Sequence, residues 1–260
     1  MKTIIQVWTH SCYNKLSDKH NNFWGIGDIL RGTLNLYLFC IKNNYNFIVD
    51  IHLHNLSKYI IQNNHPFINL IEKNKDKIPF IEGCDIINYI NNNNDDVIFL
   101  FTNFNQEIYN LTEETKKFMN NLLKPNKEFE LYINNYLNNL NNFNIIHFRL
   151  GDDELVRNNK NLDYEKYLNI LKNINFNKND ILISDSVSFK EFIKNKNINI
   201  SLFDTSPKHI GLNNDLKDTL FEFFLLKNAN KIYSYSIYCW ESGFVKWNSI
   251  IFDKNVEFIK

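Results

Sequence analysis

The chain carries no excess charge. Lys+Arg and Asp+Glu both number 29 in 260 residues, so no global field recruits nucleic acid or an anionic lipid surface. Any site for a polyanion must be local, built from one or two arginines and backbone donors. Metal-type cysteine spacing is also missing. The 4 cysteines (Cys12, Cys40, Cys84, Cys239) are scattered with no CxxC pair, and they read as free thiols of a reducing compartment. Long apolar runs are lacking too. Ile4 to Trp8 is far too short for a signal h-region or a membrane span, and no later stretch reaches that length without charges. A cytoplasmic protein with no signal peptide and no membrane span is the expectation. No repeat of solenoid length is visible.

What is present is material for a core. Hydrophobic residues make up 44% and aromatics 15%, with 22 Phe and 13 Tyr, enough to fold one large domain or two compact ones. Asn, Lys and Ile are over-used, as in the run Asn91–Asn94, a bias of AT-rich codons that weakens any reading resting on an asparagine. The sequons at Asn55, Asn110 and Asn199 therefore carry no weight.

Periodicity orders the chain. Thr3 to Trp8 reads as a strand; Gly25-Ile-Gly27-Asp28 leads into a mostly buried helix; Asn46 to Ile51 is the next strand, completing a βαβ unit. Val97 to Thr102 is another strand. A helix begins at Leu111-Thr112-Glu113-Glu114 and ends before Pro125. Phe129, Tyr132, Ile133, Tyr136, Leu137 and Leu140 sit at helical spacing, as in an amphipathic core-packing helix between two halves. Beyond it, strands at Ile145 to Leu150, Ile181 to Ser184, Ile200 to Phe203, Lys231 to Tyr235 and Ile250 to Phe252 alternate with helical patterns. Those patterns lie around Tyr164 to Leu171, Phe189 to Ile193, Leu216 to Leu226 and Trp240 to Trp247. Such alternation predicts an α/β protein of two Rossmann-like halves, residues 1–140 and 141–260, whose parallel sheets face across a ligand cleft.

Three clusters carry chemistry. Gly25-Ile-Gly27-Asp28-Ile-Leu-Arg31-Gly32 puts glycines at a strand-to-helix turn, where an anion is favoured. It lacks the third glycine and distal acid of a dinucleotide fingerprint, and Asp28 can be a helix cap. In Asn144-Ile-Ile-His147-Phe-Arg149-Leu-Gly151-Asp152-Asp153-Glu154, an apolar strand ends in a guanidinium and a glycine turn. His147 and Arg149 share a strand face. The guanidinium suits phosphate oxygens, while the plainer reading is an ion pair with its own acidic loop. The third cluster runs from Asp215 through Asp218 and Glu222, on one helix face, to Ser234, Ser236 and Trp247. Its hydroxyls and free amides before a helix suit a phosphate; its plainer reading is an aromatic helix that packs.

Together these segments resemble a family. His147-Phe-Arg149-Leu-Gly-Asp152 is similar to the His-x-Arg-(Arg)-x-Asp segment of the α1,2-, α1,6- and protein O-fucosyltransferase superfamily. Gly25 to Gly32 resembles that superfamily's N-terminal Gly-x-Gly-(Asp/Asn)-x-Leu segment, closest to the α1,6-type nodulation enzymes, with a strand ending in an acid (Asp50) following. Ile183-Ser-Asp185-Ser and Leu225 to Trp240 are similar to its second and third motifs. The resemblance implies a GT-B fold and a metal-independent, inverting transfer of fucose from GDP-fucose to a glycan or glycoconjugate hydroxyl, with no cofactor. It makes residues 1–140 the acceptor side and 141–260 the nucleotide-sugar domain.

By the same resemblance Arg149 holds the donor's β-phosphate, His147 and Asp218 contact guanine, Asp185 the ribose or base, and Ser236 (or Ser234) a phosphate. Gly25, Gly27 and Asp28 belong to the donor-binding turn. The chain departs from the pattern at Leu150, where many members have a second arginine that Arg31 or Arg157 would replace. Ile237, Tyr238 and Cys239 interrupt the serine run. Asp152, Asp153 and Glu154 are the candidates for the base that deprotonates the acceptor. Three alternatives stay open: another nucleotide sugar on the same scaffold, a non-catalytic nucleotide-sugar or glycan binder, and an unrelated phosphate-binding α/β enzyme.

Overall fold

The structure, a computed structural model, describes residues 1–9, 25–62, 64–106, 111–138, 140, 142–151, 162–212 and 215–260. The chain divides into two compact units, Met1–Phe129 with Ile210–Asn214, and Glu130–His209 with Asp215–Lys260.

The first unit contains β1 (Thr3–Val7), α1 (Ile26–Lys42), β2 (Asn46–Asp50), α2 (Ile68–Asn74), β3 (Phe80–Ile81), α3 (Asp85–Asn92), β4 (Val97–Thr102) and α4 (Glu113–Leu122). The strands pair in parallel in the order β2-β1-β4-β3. Ile4, Ile5 and Val7 of β1 and Leu100 and Phe101 of β4 are fully buried, as the near-continuous apolar strands of a parallel sheet must be. Thr112 caps α4 by accepting the Thr115 N–H, with Glu113 and Glu114 in the first turn, where carboxylates favour the helix dipole. Helix α1 lies hard against the end of β4. A Cβ on Gly32 would fall 2.2 Å from the Thr102 carbonyl oxygen and 2.9 Å from the Asn103 Cα.

A polar knot holds the far end of β2. Phe67 N–H donates to His65 Nδ1 (3.3 Å), which leaves the ring proton on His65 Nε2 for Asp50 Oδ2 (2.7 Å). The other Asp50 oxygen meets the His52 backbone N–H at 3.2 Å and its Nδ1 at 2.5 Å. A buried carboxylate thus ties the segment after β2 back onto the sheet, since each of its hydrogen bonds is charge-assisted.

The second unit contains α5 (Lys127–Leu137), which starts just before its boundary, then β5 (Ile145–Arg149), α6 (Tyr164–Lys172), β6 (Ile181–Ser184), α7 (Val187–Asn195), β7 (Ser201–Leu202), α8 (Lys217–Asn228), β8 (Lys231–Ser236), α9 (Gly243–Phe252) and β9 (Asn255–Ile259). Its strands are parallel in the order β7-β6-β5-β8-β9. The order reverses between β5 and β8. That is the switch point of a doubly wound sheet, where a crevice opens beyond the strand ends. Ile146, Phe148 and Leu150 face α6 and α7 in one core. Tyr132 and Tyr136 of α5 meet the Phe221 ring at 5.5 and 4.9 Å, so α5 packs as a core helix.

The C-terminal stretch differs from the sequence expectation, and the helices Ile68–Asn74 and Asp85–Asn92 were not expected from it. Ile250 to Phe252 is the last turn of α9, not a strand, and α9 starts at Gly243, not near Trp240. Three apolar residues fit either period. What ends the helix is Asp253 in a left-handed conformation (φ 53°), after which Asn255–Ile259 forms the edge strand. The two-residue β3 is too short to leave a pattern.

Substituting Gly32→Ala forces a methyl into backbone that cannot retreat. Urea unfolding should show a loss of about 3 kcal/mol, with an unchanged dependence on denaturant.

Candidate functional site

The end of β5 is fixed from the neighbouring strand. Asp185 follows β6 directly, and its carboxylate makes an ion pair with the Arg149 guanidinium. The same carboxylate accepts the backbone N–H of Leu150 at 2.7 Å and of Gly151 at 3.2 Å. Burial pushes the Asp185 carboxyl above its ordinary value, opposed by Arg149 and the two amides. The local sequence explains the clasp. Ser184 donates to the Phe148 carbonyl (2.9 Å) and accepts the Ser186 N–H (3.1 Å), while Ser186 caps α7 through the Phe189 N–H. Asp185 is thereby turned toward β5.

Gly151 follows with φ +108°, and a Cβ there would meet Ile237 Cδ1 at 2.8 Å and the Tyr238 hydroxyl at 3.1 Å. Only glycine satisfies both the dihedral and the space. Across the switch point Arg149 is in register with Ser236, and Ile237 N–H donates to the Arg149 carbonyl (3.0 Å). Ser236 Oγ accepts the Tyr238 N–H (3.2 Å), turning the chain toward α9.

Ser242 is the N-cap of α9, yet its side chain makes no capping bond, and its buried hydroxyl has no partner among the described residues. A helix N-terminus with an unspent hydroxyl is an anion-binding arrangement. The sequence reading missed Ser242. A serine before Gly-Phe-Val-Lys-Trp is an N-cap signal, and starting the helix too early hid it.

His147 lies deeper. It is buried, its Nδ1 is 3.2 Å from Ser234 Oγ, and its ring lies 5.9 Å from Phe244 at 21°. Burial, and secondarily Arg149, pull its pKa down from 6.5 to about 3. His147 and Ser234 therefore form an interior neutral pair. Asp218, at the start of α8, accepts the Ser206 N–H (2.8 Å). One turn on, Glu222 takes the Thr205 hydroxyl (2.5 Å) and stands 3.4 Å from the buried Lys190 ammonium. Burial raises Glu222 to about 7, against the pull of Lys190 and Thr205. The shared helix face of Asp218 and Glu222 thus holds the segment after β7.

In the first unit, Asp28 Oδ2 accepts the Gly25 N–H (3.1 Å) and Asp28 pairs with Arg31 at 3.1 Å, so Asp28 does cap α1. Gly27 is buried in the helix's first turn. Asp152, Asp153, Glu154 and Arg157 lie outside the described residues. Among those described, no helix is long and apolar enough to cross a membrane.

Solved structures share this architecture. The α-1,6-fucosyltransferase NodZ co-crystallised with GDP superposes with a TM-score of 0.56 at 11% identity, covering 96% of this chain and 92% of that one. The chain has a fucosyltransferase-type GT-B fold. The Se-Met enzyme NodZ from Bradyrhizobium matches equally, with a TM-score of 0.56, 11% identity and the same coverage of 96% and 92%. A mutant of FUT1 from Arabidopsis thaliana in complex with GDP gives a TM-score of 0.54 at 9% identity, over 99% of this chain and 70% of that one. No protein-family model matches the chain, and no curated protein matches it. At such identity the likeness is one of fold, and the chemistry rests on the residues.

His147 offers a pH test. The folded state keeps the ring neutral, while the unfolded chain takes up a proton below pH 6.5. This contribution is complete above 6.5 and is lost as pH falls toward about 3. Going from about pH 7.5 to about pH 5.5, the wild type should lose about 1 kcal/mol more stability than His147→Gln. Parallel urea titrations at the two pH values measure it, and equal losses would contradict the buried neutral ring.

Proposed function

We propose that the chain is a glycosyltransferase that moves fucose from GDP-fucose to a hydroxyl of a glycan or glycoconjugate, inverting the anomeric carbon. One juxtaposition carries the reading. Arg149 ends β5 beside Ser236 at the switch point, and the Ser242 hydroxyl, with no partner among the described residues, marks the start of α9 on the same connection. A guanidinium fork and helix-terminal amides suit a diphosphate. Fold neighbours crystallised with GDP and soaked with GDP-fucose support the choice of donor.

In the reaction the acceptor oxygen forms a bond to C1 of fucose as the bond from C1 to the β-phosphate oxygen breaks. The electron pair departs with GDP, and Arg149 receives the growing negative charge. Such a fixed cation lowers the barrier because it is oriented before the charge appears. The acceptor's proton passes to a carboxylate, for which Asp152, Asp153 and Glu154 are the candidates. Asp185 acts as a positioning residue: it fixes the guanidinium instead of binding the ribose. His147 and Asp218 act in the same indirect way, through Ser234 and the Ser206 segment, rather than on guanine.

The Asp185 ion pair also favours a second reading, a protein that binds the nucleotide sugar without turning it over. An arginine already matched by a carboxylate has less field to offer a leaving group. Release of GDP from GDP-fucose, with and without saccharide acceptors, separates the two.

In a thermal-shift panel GDP and GDP-fucose should raise Tm while UDP-sugars leave it unchanged, because only a ligand of the native state stabilises it. Arg149→Ala should weaken GDP binding about a hundredfold, read by calorimetry. Undiminished GDP affinity in that variant would sink the phosphate role and the proposal with it.

A further inference from the structure

We propose that Trp240 is a stacking platform for a pyranose ring of the saccharide acceptor. This rests on the glycosyltransferase reading and deepens it by naming where a neutral sugar is held. Trp240 is 63% exposed, more than any other large hydrophobic residue described except Met1 at 87%. A lone exposed tryptophan would be unremarkable. This one is held in place: its ring stacks on Tyr238 with centroids 4.7 Å apart and planes within 3°.

The stack is anchored to the site. Tyr238 N–H donates to Ser236 Oγ (3.2 Å), and the Tyr238 hydroxyl lies where a Cβ on Gly151 would come within 3.1 Å. Gly151 is two residues beyond Arg149. The ring pair therefore stands beside the diphosphate position, one face covered by tyrosine and the indole turned to solvent. An aromatic whose orientation is already fixed loses little entropy when a ligand arrives.

The chemistry of the face selects its occupant. An indole face carries negative quadrupole charge and no ionic group. It attracts the C–H face of a pyranose and has nothing to offer a phosphate. Next to it, Glu241 is paired with Lys246 at 2.8 Å, so polar groups able to meet ring hydroxyls flank the platform. The charged donor is served by Arg149 and the α9 N-terminus. That leaves the uncharged face for the neutral reactant, the acceptor sugar.

The test compares the protein with its Trp240→Ala and Trp240→Phe variants. Saturation-transfer NMR with the methyl β-glycosides of galactose, glucose and N-acetylglucosamine reads saccharide contact, and calorimetry reads GDP affinity. At least one glycoside should bind the wild type, lose affinity about tenfold in Trp240→Ala, and regain part of it in Trp240→Phe. GDP affinity should stay within about twofold in both variants, well below the tenfold that 1.4 kcal/mol represents. A parallel fall in GDP affinity would make the platform a nucleobase rest and overturn the proposal. So would saccharide binding that ignores Trp240, or no binding of any of the three glycosides. If the wild type binds a glycoside through Trp240 but does not bind GDP, the platform stands and the donor reading falls.

Discussion

Everything proposed for the second unit depends on one carboxylate. Asp185 receives the Arg149 guanidinium and the two amides that follow it, so three donors of β5 and its turn converge on a single buried group. Without that convergence β5 would end in a mobile cation. With it, the guanidinium is oriented before any ligand arrives, and the turn through Gly151 is set against Ile237 and Tyr238. The arrangement carries a cost, because a buried carboxylate has given up its hydration. Its hydrogen bonds offset that cost, and the site gains rigidity at the point where a doubly wound sheet places its ligand.

The same unit keeps other ionisable groups indoors, and each has a structural task. His147 stays neutral beside Ser234. Lys190, Glu222 and Thr205 close a small network below the segment after β7. Polar groups buried in this way are costly unless fully satisfied, and when satisfied they define one packing rather than several. They stiffen the interior of the unit, while the Ser242 hydroxyl, without a partner among the described residues, lies at the α9 N-terminus.

Much of the fold was legible because parallel sheets announce themselves through short apolar runs divided by amphipathic helices. The runs at Thr3 to Trp8, Val97 to Thr102 and Ile181 to Ser184 correspond to strands nearly residue for residue. Ile250 to Phe252 misled because three apolar residues have no period, and the left-handed Asp253 that stops the helix has no signature when it is not glycine. At the site, position along the chain was readable and orientation was not. Sequence placed Arg149 and Asp185 at neighbouring strand ends, yet it could not say that they face each other. Nor could it show that His147 is turned inward and that Asp218 is engaged by the Ser206 amide, since a side chain's partners come from other strands and helices. Ser242 escaped notice because an N-cap is recognised only after the helix start is right.

The strand order has a kinetic consequence. Both central pairings join distant parts of the chain, β1 with β4 (Thr3 opposite Val97) and β5 with β8 (Arg149 opposite Ser236). Such pairings must pay for loop closure before they gain anything, which makes them slow to form. During synthesis β5 is made long before β8, and until β8 arrives the Arg149 strand has one of its edges open. The crevice is thus a late product of folding. An apolar strand such as Ile145–Phe148 waiting with an unpaired edge is also the place where a nascent chain of this kind is most prone to join a neighbour of its own sequence.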